Sequence, residues 1–226
     1  MNAPINHTRV IRRADLGLQD EVRRIESFVA ERGGNVFQRP HWLKAVETGT
    51  GNEALGLVLE KGGTIEGWLP LTHVRSPLFG QALVSSGFGV SGGVLALRDK
   101  DAASLCRAAE ELAVRLAVPT IELRSGHAPD DWQTIEGRHA NFACSLADTD
   151  DAQLLAIPRK ARAEVRKGLA NDFTIEIGSA ARDRDAHYSV YAESVRNLGT
   201  PVFPRSLFDA VLDLFGRDAD ILTVRY

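Results

Sequence analysis

The densest group of positively charged side chains in this 226-residue sequence lies between Ile157 and Leu169. Apolar residues recur there at every fourth position and Pro158 suits a helix start, so the segment is predicted to form an amphipathic helix. Guanidinium groups form paired hydrogen bonds with phosphates and carboxylates, so arginines on one face indicate a binding site for an anionic ligand. At about 100° per residue, one strip of this helix carries three of them: Arg159, Arg162 and Arg166.

Two lysines flank the arginine strip and are predicted to make secondary contacts with the same ligand, namely Lys160 and Lys167. Glu164 lies on the lysine side, four residues after Lys160, so it is expected to relieve the repulsion along that edge but not along the arginine strip. An alternative is that the basic face is simply solvated. Like charges three, four and seven residues apart repel each other, however, and this repulsion favours an anionic partner.

A second group of polar side chains surrounds a predicted helix end at Gly199. A glycine followed closely by Pro201 is typical of a helix C-terminus, so capping alone explains much of this segment. The remaining feature is a set of polar groups at one turn, which we predict to line a substrate cleft. Its members are Tyr191, Arg196, Asn197 and Thr200.

Two short motifs overlap in the glycine-rich segment from Gly87 to Gly93. Residues 87–92 match the dinucleotide-binding pattern GxGxxG, and residues 89–93 match the GxSxG pattern of a nucleophilic serine. Both functions require a helix directly after the glycines, whereas a strand-like segment, residues 94–97, follows here. We therefore expect tight turns beside closely packed backbone.

Metal sites, disulfides and membrane segments are not indicated by the sequence. The six histidines lack HxH or HExxH spacing, so no metal is predicted. Cys106 and Cys144 lie far apart, and each is expected to be buried and unpaired. The polar N-terminus lacks the apolar core of a secretory signal, and no apolar run approaches a membrane span. The predicted location is the cytoplasm.

The overall composition limits how an anion could be bound. The chain is 44% hydrophobic and 25% charged, as expected for a globular protein with a substantial core. Its formal net charge is −3 and its pI about 6.1, so no general attraction to nucleic acids or anionic membranes is expected. Any anion binding must therefore be local.

The order of predicted elements indicates a mixed α/β (α+β) protein with mixed sheets flanked by helices. Residues 1–147 are predicted to form a first domain, with elements at Arg9–Arg12 (strand), Leu18–Arg32 (helix), Pro40–Val46 (helix), Ala54–Glu60 and Ile65–Val74 (hairpin), Asp101–Val118 (helix), Thr120–Arg124 (strand) and Asn141–Leu146 (strand).

Residues 148–226 are predicted to form the beginning of a second domain. Asp148–Asp151 should supply helix-capping groups to the basic segment. The elements that follow the basic helix are expected at Phe173–Ile177 (strand), Asp183–Leu198 (helix), Pro204–Phe215 (helix) and Ile221–Tyr226 (strand). The last strand has no evident hairpin partner, and two strands make a poor sheet, so this domain is expected to be incomplete.

Several segments together carry a family resemblance. The basic run PRKxRxxVRK at 158–167 precedes YAxSVRNLGTPVFP at 191–204, and earlier segments agree: FQRPxWL at 37–43, GWLPL at 67–71, SPLFG at 76–80 and LVSSxFxVxGG at 83–93. In this order they resemble the FemAB-related proteins associated with PEP-CTERM and exopolysaccharide systems. The resemblance covers nearly the whole chain.

The resemblance implies two acetyltransferase-like (GNAT-type) domains in tandem and acyl or aminoacyl transfer to an amine. Better-known relatives add amino acids from aminoacyl-tRNA to peptidoglycan precursors, so the donor is expected to be acyl-CoA or an aminoacyl-tRNA. The acceptor is expected to be an anionic small molecule or a nucleotide-linked saccharide, held by the basic helix. Family members continue well beyond Tyr226, so the catalytic portion is expected to be missing, and no catalytic residue can be named.

Two other functions remain open. The chain could be a non-catalytic anion-binding or interaction module that keeps only the scaffold. It could also bind nucleic acid, such as a tRNA donor, through the arginine strip, although it lacks interleaved aromatic residues and a basic domain charge.

Overall fold

The structure is a computed structural model that describes residues 8–124, 128–137, 140 and 142–226. The chain folds into two compact units. The first unit comprises Met1–Trp132 and Tyr188–Ala219, and the second comprises Gln133–His187 and Asp220–Tyr226. The predicted domain boundary after residue 147 stays a prediction.

The secondary structure alternates helices and strands along the chain. The described strands are β1 (Arg9–Arg13), β2 (Glu53–Lys61), β3 (Thr64–Ser76), β4 (Gly80–Val84), β5 (Leu95–Ala96), β6 (Ile121–Glu122), β7 (Thr174–Gly178) and β8 (Ile221–Arg225). The described α-helices are α1 (Gln19–Glu31), α2 (Pro40–Thr50), α3 (Asp99–Arg115), α4 (Asp150–Ala156), α5 (Arg159–Leu169), α6 (Ala181–Asn197) and α7 (Arg205–Phe215).

A mixed six-stranded sheet organises the first unit. Its strand order is β1-β2-β3-β4-β6, with β5 also pairing with β3. The pair β4 and β6 is parallel, and the other pairs are antiparallel. The predicted hairpin forms the centre of the sheet as β2 and β3. Its apolar residues divide between two clusters, as the twofold alternation of a strand requires.

Each of the two clusters includes helical residues. Leu55, Leu69 and Leu71 belong to a cluster with Leu105 and Ala109 of α3. The second cluster combines strand residues with apolar residues of α1 and α2 around the fully buried Trp68. The two clusters confirm the predicted mixed α/β architecture, a sheet flanked by helices.

Trp68 fits because Gly56, on the neighbouring strand β2, has no side chain. A Cβ added to Gly56 would lie 2.0 Å from the Trp68 ring, so only glycine leaves room for the indole. The Trp68 Nε1 group donates a hydrogen bond of 2.8 Å to the carbonyl of Gln38, which satisfies its buried polar atom.

Helix α7 returns to the first unit and packs against α2 without an intervening side chain. A Cβ on Gly49 would lie 2.4 Å from Cα of Leu207, and the Ser206 hydroxyl donates a hydrogen bond of 2.5 Å to the carbonyl of Gly49. Near the other end of α7, Arg39 lies 4.8 Å from the Phe215 ring centroid. It also donates to Glu26 at 2.8 Å and to Asp218 at 3.0 Å. These contacts hold a segment from late in the chain against the first sheet's helices.

The second unit contains α4, α5, the start of α6 and a two-stranded antiparallel sheet, β7-β8. Glu176 on β7 forms ion pairs with Arg225 and Arg182, both at 2.9 Å. The hydrogen bond from Arg225, together with the charge of Arg182, lowers the pKa of Glu176 below its ordinary value. One face of the sheet carries apolar side chains that are between 53% and 67% exposed: Ile175, Ile177, Leu222 and Val224.

Several sequence-based expectations prove wrong. Residues 142–146 form no strand and are exposed, because no neighbouring strand pairs with them, and Asn141 lies outside the described residues. Cys144 is consequently exposed, whereas Cys106 is buried as expected. The last strand, β8, has no hairpin partner among the described residues, as expected; it pairs instead with β7, from which α6 and α7 separate it along the chain.

Two elements were missed altogether, β4 and α4. The capping residues before the basic segment serve α4, because the Thr149 hydroxyl accepts a hydrogen bond of 3.2 Å from the Ala152 amide. Across the described ranges, no helix is long and apolar enough to cross a membrane.

Candidate functional site

Helix α5 carries its positive charge at both ends. Pro158 precedes the helix without a side-chain cap, and the first turn contains no acidic residue. Instead, Arg159 and Lys160 occupy the first two helical positions. A helix dipole makes its N-terminus effectively positive, so cations there are unfavourable unless an anion binds nearby. The arrangement is therefore suited to an anionic ligand rather than to helix stability.

Four of the predicted binding residues surround one pocket, which has a volume of about 570 Å³. The pocket is lined by Arg159, Lys160, Arg162, Ala163 and Arg166. Within the described part of the chain, the side chains of Arg159, Lys160 and Arg166 form no hydrogen bond or ion pair. The pocket thus presents two guanidiniums and one ammonium that are available to a ligand.

Arg162 is engaged in a different way. Its Nη2 atom donates to the carbonyls of Leu155 at 2.6 Å and Ile157 at 2.9 Å, and Nε donates to Ile157 at 3.2 Å. These carbonyls lie at the C-terminal end of α4, where the last groups of a helix lack partners. Arg162 therefore caps α4 and fixes the corner between α4 and α5. Its predicted contact with the anion stays a prediction.

Lys167 does not line this pocket. Its ammonium pairs with Glu164 at 2.9 Å, and both side chains are largely exposed. Glu164 thus relieves the lysine edge and not the arginine strip, as expected, but it does so through Lys167 rather than through Lys160. This choice leaves Lys160 unneutralised beside the two free arginines.

The second predicted group lies in the first unit, around the end of α6. Gly199 adopts a φ of +70°, and its amide donates to the carbonyl of Arg196 at 2.9 Å, as predicted for a glycine that ends a helix. The Tyr191 hydroxyl accepts a hydrogen bond of 3.1 Å from the Phe203 amide, while the Tyr188 hydroxyl donates to the Phe203 carbonyl at 3.1 Å. Tyr191 thus helps to fix the segment after the turn.

The other three members of this group are exposed: Arg196, Asn197 and Thr200. Their predicted role, and that of Tyr191, in lining a substrate cleft stays a prediction. Tyr188 was not singled out from the sequence, because no motif distinguishes a tyrosine whose hydroxyl bonds to the backbone from one that packs in a core.

The glycine-rich segment behaves as the packing interpretation predicts. No helix follows it directly, because β5 lies between it and α3. Ser86 and Phe88 adopt positive φ angles of 51° and 63°. A Cβ on Gly92 would lie 2.3 Å from the Ser86 hydroxyl oxygen, so glycine is required by close approach. Ser91, the serine of the GxSxG match, accepts a hydrogen bond of 3.0 Å from Asn35. Neither the nucleotide-binding nor the nucleophile motif has its required context.

Metal ligation is not apparent in the residues that the structure describes. Across those ranges, no group of three or more His, Cys, Asp or Glu side chains could hold a metal ion. Three of the six histidines, His7, His127 and His139, lie outside them.

The mixed sheet with flanking helices defines the class of fold. The chain aligns with the crystal structure of FemX over 90% of its own length, with a TM-score of 0.62 and 16% sequence identity. It spans 56% of the FemX chain. At this identity the likeness establishes a FemX-like fold and nothing beyond the fold.

Two acetyltransferase structures also align, but with TM-scores too low to establish a shared fold. A GNAT family acetyltransferase from Staphylococcus aureus gives 0.42 at 15% identity, covering 59% of this chain and 98% of that one. A ribosomal-protein-alanine N-acetyltransferase from Brucella melitensis biovar Abortus gives 0.39 at 15% identity, covering 58% and 100%. No family model and no curated protein matches the sequence.

Proposed function

We propose that this chain belongs to an N-acyltransferase or aminoacyltransferase of the FemAB and GNAT type. Its substrate would carry an acceptor amine and an anionic group, as cell-envelope or exopolysaccharide precursors linked to a nucleotide do. The observation that carries the proposal is the α5 pocket, where Arg159, Lys160 and Arg166 have no partner among the described residues. The FemX-like fold supports the transferase class.

The charge of the pocket favours a ligand with more than one negative charge. Three cations on one short helix repel each other, and a phosphate or diphosphate would replace that repulsion by attraction. Two guanidiniums can each form paired hydrogen bonds, while the lysine acts as a point charge. A nucleotide diphosphate linked to a saccharide has the required chemistry.

The chemical step needs groups that we do not assign to this chain. In acyl transfer, the amine must attack unprotonated and the developing oxyanion must meet preorganised donors. We propose that these groups lie outside the present chain, which spans 56% of the FemX chain. The donor would be acyl-CoA or an aminoacyl-tRNA, and the reaction would take place in the cytoplasm.

The anion site can be tested by calorimetric titration with a UDP-linked sugar. The Arg159→Ala and Arg166→Ala double variant should bind at least about tenfold more weakly than the parent chain, since two charge-assisted contacts are lost. Lys100→Ala is the matched control, because it removes a similar exposed cation from α3 in the first unit. If the double variant binds as tightly as the parent, the assigned site is wrong.

A non-catalytic anion-binding module is the second candidate. It is favoured by one observation: four of the five residues that line the α5 pocket are cations, which can hold an anion without any catalytic step. Acyl transfer should be measured with the 226-residue chain and with a version extended at its C-terminus. Activity in the shorter chain would exclude the module, whereas anion binding without transfer in either version would exclude the enzyme.

A further inference from the structure

A second pocket lies in the first unit and shares no residue with the α5 site. It has a volume of about 520 Å³, within the range of roughly 300–1,000 Å³ that is usual for small-molecule sites. It is formed where β1 leads into α1 and where α2 passes the start of β2. Its charged side chains are Arg13, Asp15, Lys44 and Glu47.

The half-buried Lys44 forms no ion pair with the carboxylates of this pocket in the described part of the chain. Glu47 lies three residues later on α2, a spacing at which the two side chains commonly pair. Glu47 instead accepts a hydrogen bond of 3.0 Å from the Ala54 amide, at the beginning of β2. Within the described ranges, the Lys44 ammonium forms no hydrogen bond or ion pair. Lys44 therefore lines the same pocket as Glu47 but does not pair with it, because Glu47 accepts the Ala54 amide.

Each of the two carboxylates of the pocket, Asp15 and Glu47, accepts a hydrogen bond at only one of its oxygens. One oxygen of Asp15 accepts the Gly17 amide at 3.0 Å, just as one oxygen of Glu47 accepts the Ala54 amide. The second oxygen of each has no hydrogen-bond partner in the part of the chain that is described. Arg13, the other cation, pairs at 2.7 Å with Glu53, which does not line the pocket.

We propose that this pocket binds a small zwitterion, with its carboxylate on Lys44 and its ammonium on Asp15 and Glu47. A simple anion would gain Lys44 but would meet two carboxylates, and a simple cation would meet Lys44 and Arg13. A molecule with both charges, such as an amino acid or a short peptide, satisfies both sets of groups. Because Asp15 and Glu47 are exposed, the binding should be weak, with a Kd of about 1 mM.

The experiment is a titration of the isotope-labelled chain followed by amide chemical shifts. The probes are amino acids of increasing charge separation: glycine, β-alanine, 4-aminobutyrate and 6-aminohexanoate. Acetate and ethylammonium carry each charge alone. We expect one zwitterion to saturate the shifts of residues 13–17 and 44–47, and to bind at least about tenfold more tightly than either single-charge probe.

The variants separate loss of binding from loss of structure. Lys44→Met keeps the aliphatic stem, while Asp15→Asn and Glu47→Gln keep an oxygen for the backbone amides that they cap. Each variant should weaken binding of the zwitterion about tenfold without lowering Tm. Lys61→Met, which changes an exposed lysine at the end of β2, should leave binding unchanged. Equal binding of acetate, unchanged affinity in Lys44→Met, or no saturable binding would each overturn the proposal. None of these results depends on the α5 site.

Discussion

Replacing Gly49 with alanine should separate α7 from α2. The added methyl carbon would lie 2.4 Å from Cα and 2.7 Å from the amide nitrogen of Leu207, and 2.8 Å from the carbonyl oxygen of Ser206. All three are backbone atoms, so no side-chain rotation can relieve the overlap. Carbon atoms pack at about 3.5–4.0 Å, and α7 must therefore move away by roughly 1 Å or more.

The free-energy cost of this movement is the sum of two destabilising effects and one that offsets them. Overpacking of a close contact destabilises by about 1–3 kcal/mol. The hydrogen bond from the Ser206 hydroxyl to the Gly49 carbonyl, now 2.5 Å long, would also be weakened, at about 1 kcal/mol. Alanine offsets up to about 1 kcal/mol through its better helix propensity. The net destabilisation should be about 1–3 kcal/mol, or a fall in Tm of roughly 2–12 °C.

Urea denaturation and thermal melts followed by circular dichroism would measure this effect. Gly168→Ala is a matched control, because Gly168 also lies in a helix but has no atom within 4 Å of its added Cβ. There the propensity gain should act alone and slightly stabilise the chain. A Gly49→Ala variant as stable as the parent would refute the proposed backbone contact.

Three further outcomes are expected. The stabilisation that Glu176 gains from its lowered pKa should be present at neutral pH and lost as the pH falls through that pKa. The difference in amide exchange in β7 and β8 between Glu176→Gln and the parent should therefore be largest at pH 7 and shrink as the pH is lowered. A thiol reagent at pH 8 should label Cys144 rapidly. Burial raises the pKa of the Cys106 thiol to about 11 and should protect it from the reagent. Rapid labelling of both thiols would contradict the burial of Cys106. Arg162→Gln should lower the helical dichroism by uncapping α4, whereas Arg159→Gln should not, and equal losses would argue against the cap.

The elements that could be predicted are those whose signal is local. Helices α1, α3 and α7 and the hairpin β2-β3 repeat their apolar residues with a clear period, so sequence alone placed them within a few residues. By contrast, β4 spans only Gly80–Val84 and owes its extended form to pairing with β3 and β6. Helix α4 is seven residues long and depends on its caps. Neither carries enough periodicity to be recognised.

The candidate site shows the same division between local and non-local information. Helical spacing placed Arg159, Arg162 and Arg166 together, and the structure agrees. Spacing could not show that Arg162 donates to the carbonyls at the end of α4, because α4 itself was not predicted. The contact of Gly49 with Leu207 joins residues 158 positions apart by their numbering, and only the fold brings them together.

Both pockets leave cations unpaired in a chain that has no shortage of carboxylates, since its net charge is −3. Glu164 pairs with Lys167 and leaves Lys160 without an ion pair, and Glu47 accepts a backbone amide and leaves Lys44 without one.

The two proposed ligands should nevertheless respond differently to salt. A multiply charged anion on α5 should lose affinity steadily as ionic strength rises, because exposed charges are screened over about 8–10 Å near physiological salt. A zwitterion of zero net charge should lose much less, so a salt titration of both ligands on the same sample tests the two charge assignments together. If the UDP-linked sugar proved as insensitive to salt as the amino acid, the three free cations of α5 would not be the groups that bind it.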